Sequence, residues 1–170
     1  MTNNAQWFER KFEFGFSADL YPNLCIRLRG TPVRIEEMLH GVSRDMLIAR
    51  KQEKWSAQEQ VGHILDLEPL WSARVDDFVE GKQHLSAADL QNRKTHEANH
   101  NACSISGLLT EFRAARVALV GKLEALGPAQ FSKTLVHPRL QQPMRLVDHL
   151  YFVAEHDDHH LAKIWSLLRQ

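Results

Sequence analysis

The chain has 170 residues, 44 % of them hydrophobic, and its 21 Lys and Arg balance 21 Asp and Glu. A single domain of that length buries about 70 % of the surface its unfolded chain exposes, so no disulfide or metal is needed merely to fold it. Zero net charge without a run of basic residues argues against a nucleic-acid binder. Ten His stand out from this average background, because imidazole is both a common metal ligand and the side chain that titrates near neutrality.

The first sixteen residues hold Trp7, Phe8, Phe12, Phe14 and Phe16, an aromatic density that has to be covered. Segment 1–20 is expected to pack on its own bundle or on a partner subunit in a homodimer. No basic stretch leads into an apolar one here, and no apolar run approaches the roughly 20 residues of a membrane span, so the expectation is a cytoplasmic protein with no membrane partner. Cys25 and Cys103 lie far apart without Cys-x-x-Cys spacing and read as two buried thiols.

Residues 21–41 read as helical, with Leu24, Leu28, Ile35, Met38 and Leu39 as apolar positions and a break at Thr31-Pro32, where Thr suits an N-cap and Pro the first helical turn. Ser56-Ala57-Gln58-Glu59 is a capping box that starts a second helix. This helix carries Ile64, Leu67, Trp71, Val75 and Phe78, passes Pro69, where a kink is expected, and stops at Gly81. Residues 82–95 are polar and read as a long crossover. Ile105, Leu108, Leu109, Phe112, Leu119, Leu123 and Leu126 mark a third helix, ended by Gly127-Pro128. Residues 131–143 read as a loop, and Pro143 suits the first turn of a last helix carrying Leu146, Leu150, Val153, Ile164, Leu167 and Leu168. Four amphipathic segments without strand alternation predict an all-α fold, a four-helix bundle in one domain over 1–170.

On the last helix, His149, His156 and His160 fall on the apolar face with Val153 and Ile164, whereas His159 lies about 120° away, toward rim or solvent. His156 and His160 are one turn apart, the spacing that lets two imidazoles share an ion. His149 is about 10.5 Å further along the axis and is assigned to the pocket wall or the surroundings of the ligands. A third ligand must come from another helix; His40, His63, His96 and His100 are candidates, and periodicity selects none of them. Two competing patterns exist. His96-Glu97-Ala98-Asn99-His100 matches the H-E-x-x-H of zinc proteases, although the residues before it look solvated. Glu37-Met38-Leu39-His40 and Glu97-Ala98-Asn99-His100 resemble the Glu-x-x-His pairs of di-iron bundles, which also need two further inward carboxylates.

The stretch Trp55-Ser56-Ala57-Gln58-Glu59-Gln60-Val61-Gly62-His63-Ile64-Leu65-Asp66-Leu67-Glu68, together with Glu155-His156-Asp157-Asp158-His159-His160-Leu161-Ala162-Lys163-Ile164, resembles the DinB/YfiT-like family of metal-binding four-helix bundles. The resemblance implies His63, His156 and His160 as the metal triad. It also implies an up-down-down-up bundle with the crossover between its second and third helices. Lys163 stands where many relatives would carry Gln.

Three imidazoles on a divalent ion, zinc or nickel by ligand type, leave a coordination position open. The expected activity is therefore a metal-dependent enzyme that activates a thiol or a water nucleophile: a thiol-dependent S-transferase, as the resemblance implies, or a hydrolase. Its partner would be a small-molecule substrate, such as a low-molecular-weight thiol. Asp157, inward by its helical angle, is the candidate catalytic carboxylate, and Glu155 and Glu59 are candidates for orienting ligand N–H groups or moving protons. The alternative is a non-catalytic stress-response bundle in which the ion staples two helices.

Overall fold

The computed structural model describes residues 6–169. Four long helices form the body: α1 (Tyr21–Leu39), α3 (Ala57–Glu80), α5 (Ile105–Glu124) and α6 (Leu146–Leu168). Two short ones, α2 (Arg44–Ile48) and α4 (Arg93–Glu97), lie in the connections, and β1 (Thr134–His137) pairs antiparallel with β2 (Gln142–Arg145).

The residues that meet across each interface fix how the helices run. Arg29 reaches Glu124 while Arg113 reaches Glu36, so α1 and α5 are antiparallel. Glu68 meets Arg116 and Asp76 meets Lys122, so α3 and α5 are parallel. Gln60 bonds His160 whereas Phe78 packs on His149, so α3 and α6 are antiparallel. The long helices thus run up, down, down and up, with α1 diagonal to α3 and α5 diagonal to α6. Because α3 and α5 point the same way, residues 81–104 must carry the chain back along the bundle. That crossover is fastened to β1 by Leu85 N–H to Val136 O and Val136 N–H to Gln83 O, both 3.0 Å.

The capping box at Ser56 and Glu59 is present, and α3 ends at Gly81 with φ +71°, a left-handed cap that favours glycine. Two apolar clusters fill the bundle, one around Leu28, Val75, Leu123 and Leu150, the other around Ile35, Ile64, Phe112 and Ile164. Each fully buried Leu or Ile contributes roughly 1.5–3 kcal/mol. Between the clusters lies a polar layer, with the three His on one side and Thr31, Glu68, Arg116 and Asp157 on the other.

Several expectations are corrected. No break occurs at Thr31-Pro32; α1 runs through both. Pro32 cannot bond the Leu28 carbonyl, and Arg116 Nη1 donates to that oxygen instead, at 3.1 Å. α3 likewise continues through Pro69. Residues expected as a loop hold the hairpin, with Leu135 and Met144 paired and buried; four-residue strands are too short to show an alternation in sequence. Pro143 sits in β2, and the last helix starts at Leu146. Cys103 is exposed; Cys25 is buried, and burial, with Glu124 adding, pushes its thiol up to about 11. Of segment 1–20, residues 1–5 lie outside the described part. Phe12 is buried and Trp7, Phe14 and Phe16 pack against the core, while Phe8 is exposed. Among the described residues no helix is long and apolar enough to cross a membrane.

Candidate metal centre

The first two turns of α3 are buried all round, from Ala57 to Ile64, because α2, α4 and the turn at residues 100–102 close over them. This is why polar Gln60 and His63 can sit in the interior: every side is covered, so their partners must be internal. His63 on α3 and His156 and His160 on α6 present ligand nitrogens that all lie within 4.8 Å of one another. The Nε2 atoms of His156 and His160 are 3.1 Å apart. Two nitrogens on one tetrahedral ion with N–metal bonds of about 2.05 Å would be separated by about 3.3 Å, so the pair fits a shared ion almost without movement.

The surrounding groups set the tautomers. Thr95 donates its hydroxyl to Asp66 at 2.9 Å, so its oxygen accepts Nδ1–H of His63 at 3.1 Å and leaves His63 Nε2 with its lone pair free. His160 Nδ1–H donates to Gln60 Oε1 at 2.6 Å, freeing Nε2 in the same way. His156 has no such partner at Nδ1; its ring is held by packing against Trp7 and Trp71, with centroids 4.9 and 5.6 Å away. Burial pushes His63 down to about 4, Asp66 opposing and Lys163 adding to it. Burial, together with the neighbouring imidazoles, holds His156 and His160 far below their ordinary value. All three are neutral, the form that binds a cation.

The triad opens onto a cavity of about 320 Å³ walled by Trp7, Trp55, Trp71 and Phe152. His159 also lines it and is buried, contrary to the rim or solvent position expected from its helical angle. The N-terminal segment accounts for the difference: Trp7 lies 5.6 Å from the His159 ring and covers that flank of α6. Lys163, the departure noted in sequence, is a half-buried part of the same wall.

The other candidates lie elsewhere. Asp157 does not line the cavity; it is fully buried in the polar layer, accepting from Thr31 Oγ1 at 2.8 Å and from Arg116. Its inward angle points it at α1 and α5, so the expected catalytic role is replaced by an ion pair. The Glu59 carboxylate is occupied by the Ser56 amide, at 2.9 Å, and by Arg50. Burial raises its carboxyl, and those two partners more than offset the rise, leaving a net lowering. Glu155 pairs with Arg10 and Arg27. His149 is buried between Trp71 and Phe78, with ring centroids 5.8 and 6.2 Å away, and does not line the cavity. His96 and His100 fall on separate short elements, so no H-E-x-x-H helix forms. His40 caps the end of α1 and is exposed.

Gln60, Thr95, Asp66 and His100 form the support of the triad; sequence reasoning missed the first three and weighed His100 only as a ligand. Gln60 and Asp66 flank His63 at three residues on either side, the helical spacing that shares its face. Thr95 came from the stretch that looked solvated. His100 Nε2 meets Asp66 Oδ2 at 2.8 Å, and its ring lies against Gly62, where a Cβ would come within 2.6 Å of Nδ1 and closer still to two ring carbons. Gly62→Ala is therefore expected to destabilise the metal-free protein. Overpacking of roughly 1–3 kcal/mol, less the gain in helix propensity of about 1 kcal/mol, leaves a net loss of up to about 2 kcal/mol, so a thermal melt should shift down by up to roughly 8 °C. An unchanged melt would mean that the His100 ring is free to move.

The sequence profile of the DinB superfamily matches residues 27–164. No curated protein matches the chain. Among solved structures, YfiT from Bacillus subtilis, described as a probable metal-dependent hydrolase with an unusual four-helix bundle topology, superposes with a TM-score of 0.80 at 19 % identity, over 95 % of this chain and 93 % of that one. That likeness is one of fold, whereas the profile spans most of the sequence and includes all three histidines of the triad. On that match the chain belongs to the DinB superfamily.

Proposed function

We propose that the protein is a metal-dependent enzyme whose divalent ion, zinc or nickel, is held by His63, His156 and His160, and whose reaction begins with a small-molecule thiol or water as nucleophile. The observation that carries this reading is the set of three buried neutral imidazoles, two of them with Nε2 freed by a hydrogen bond at Nδ1. When bound, the ion supplies Lewis-acid activation of the nucleophile. The chain supplies the rest. Gln60 and the Thr95–Asp66 pair fix ring orientation, and Trp7, Trp55, Trp71 and Phe152 exclude water from the reacting groups. His159, buried against the cavity with Nε2 unpartnered, is placed to hold or move a proton at that atom. Burial, with Lys163 and Arg10, pushes it down to about 4, so it enters the reaction neutral.

The open cavity favours an enzyme over a purely structural ion. The test begins with elemental analysis of protein purified without an affinity tag. Turnover is then assayed with low-molecular-weight thiols plus electrophilic co-substrates and, separately, with ester and amide substrates. About one divalent ion per chain and a turnover that disappears on chelation and returns with the ion are expected. Activity that survives chelation would overturn the reading.

A further inference from the structure

The end of the cavity away from the triad is lined by hydrogen-bond donors that face one another without an acceptor. His137 Nδ1 accepts the backbone amides of Arg139 and Leu140 at 3.2 and 3.1 Å. A neutral imidazole that accepts at Nδ1 carries its proton on Nε2, and this ring is neutral, pushed down to about 3 by burial, with Arg74 and Arg139 adding to the effect. Its Nε2–H therefore points at another donor, Nη1 of Arg74, only 3.2 Å away. Arg74 is 1 % and His137 2 % exposed. Arg74 spends Nε on the Ser86 carbonyl at 2.9 Å, and its charge is felt by Asp77, whose own carboxylate is bonded to Lys82 and the Ser86 amide. Close by on the same wall, Nη2 of Arg139 is buried with no hydrogen-bond partner, its guanidinium lying over the Phe8 and Phe152 rings.

Positive charge without a paired carboxylate lines the cavity. Arg74, Arg139 and Lys163 all line it, and none of the ion pairs among the described residues includes any of them. The only acidic residue lining it among those described is Asp89, which is exposed and already accepts from the Gln91 and Arg93 amides. Leaving buried donors unpaired is costly, more so when they are charged. A planar oxyanion between Arg74, His137 and Arg139 would satisfy three of them at once, and charge-assisted bonds of this kind are about twice as strong as neutral ones.

We propose that Arg74, His137 and Arg139 form a recognition site for the carboxylate of an organic anion whose apolar body lies along Trp71 and Phe152 toward the histidine triad. Arg74 is eleven residues beyond His63 on α3, about 16 Å of helical rise, so the ligand is an elongated acid with its reacting group remote from the carboxylate. That this acid is the substrate rests on the reading of the triad as an active site; that the cavity binds it does not.

The test is calorimetric titration of 3-phenylpropanoate and its neutral amide, 3-phenylpropanamide, into metal-loaded and chelator-treated protein, and into Arg139→Gln and His63→Ala. The acid is expected to bind at least tenfold tighter than the amide in both metal states and in His63→Ala. Arg139→Gln, at a half-buried position whose loss the fold should tolerate, is expected to weaken the acid at least tenfold and abolish the preference. The inference is overturned if the acid fails to bind at millimolar concentration, if acid and amide bind alike, or if Arg139→Gln leaves the preference intact. A preference that vanishes on chelation but ignores Arg139 would put the acid on the ion, sinking this site while supporting the metal centre. A preference that follows Arg139 in protein that binds no metal would uphold this site and sink the metal reading.

Discussion

Arg116→Met is expected to lower the melting temperature by roughly 6–20 °C, the largest effect of any single substitution outside the metal centre. The guanidinium is fully buried. It bonds Glu68 through Nη2 at 2.6 Å and Nε at 3.1 Å, Asp157 through Nη1 at 2.5 Å, and the Leu28 carbonyl that Pro32 leaves free, while its Cζ lies 4.9 Å from the centre of the Phe112 ring. Removing it strands two buried carboxylates, and breaking a buried pair in this way costs about 3–5 kcal/mol, or 2–4 °C per kcal/mol in a domain of this size. The sign of the pH dependence is diagnostic. Burial already raises the Glu68 carboxyl, with Arg116 opposing and Asp157 adding to the rise. Without Arg116 nothing would oppose the rise of the Glu68 carboxyl above its unfolded value, so its penalty is absent below the unfolded pKa and grows as pH rises through the folded one. The variant should therefore gain stability between pH 7 and pH 5, and Glu68→Gln added to it should recover part of the loss. A melt within about 2 °C of the parent would show that the network contributes little.

His63→Ala is expected to reduce bound divalent metal from about one ion per chain to near zero and to abolish turnover. The helical signal should stay unchanged, because the apolar clusters on either side are untouched. In the parent, free ion at 100 times its Kd raises stability by about 2.7 kcal/mol through mass action, which thermal melts with added zinc or nickel would read as a shift of roughly 5–11 °C. No shift is expected in His63→Ala. Gln60→Leu and Thr95→Val remove only the groups that orient the rings, and should weaken the metal about 10–100-fold while retaining stoichiometric binding at high ion concentration. Full metal content in His63→Ala would remove the triad from consideration.

What could be read in the sequence was what helical geometry makes local. His156 and His160 are one turn apart, and Ser56 with Glu59 caps α3, so each pair is decided within four residues. The third ligand could not be reached that way: His63 sits beside Ile64 on the flank of its stripe, and only a resemblance of motifs singled it out. The roles that escaped depend on chain distant in sequence. Whether Asp157 faces a cavity or a cation is settled by Arg116, on another helix. Whether His159 meets solvent is settled by Trp7, at the opposite end of the chain. Thr95 looked solvated among Arg93 and Lys94, yet it is buried because Asp66 and His63 require its hydroxyl. The donors around His137 belong to a turn, a hairpin and a helix, and no spacing rule joins them.

The diagonal placement of α1 against α3, and of α5 against α6, bears on how the protein is made. An up-down bundle can assemble from helical hairpins formed by successive helices, but neither of these consecutive pairs packs together here. Their partners arrive later in synthesis: Thr31 and Glu68 wait for Arg116 and Asp157, and His63 waits for the last helix. Dependence on contacts distant along the chain slows folding and makes it concerted. A nascent N-terminal half displays one isolated imidazole where the finished protein has three. Under the proposed function, loading of the ion is thus an event of the completed chain.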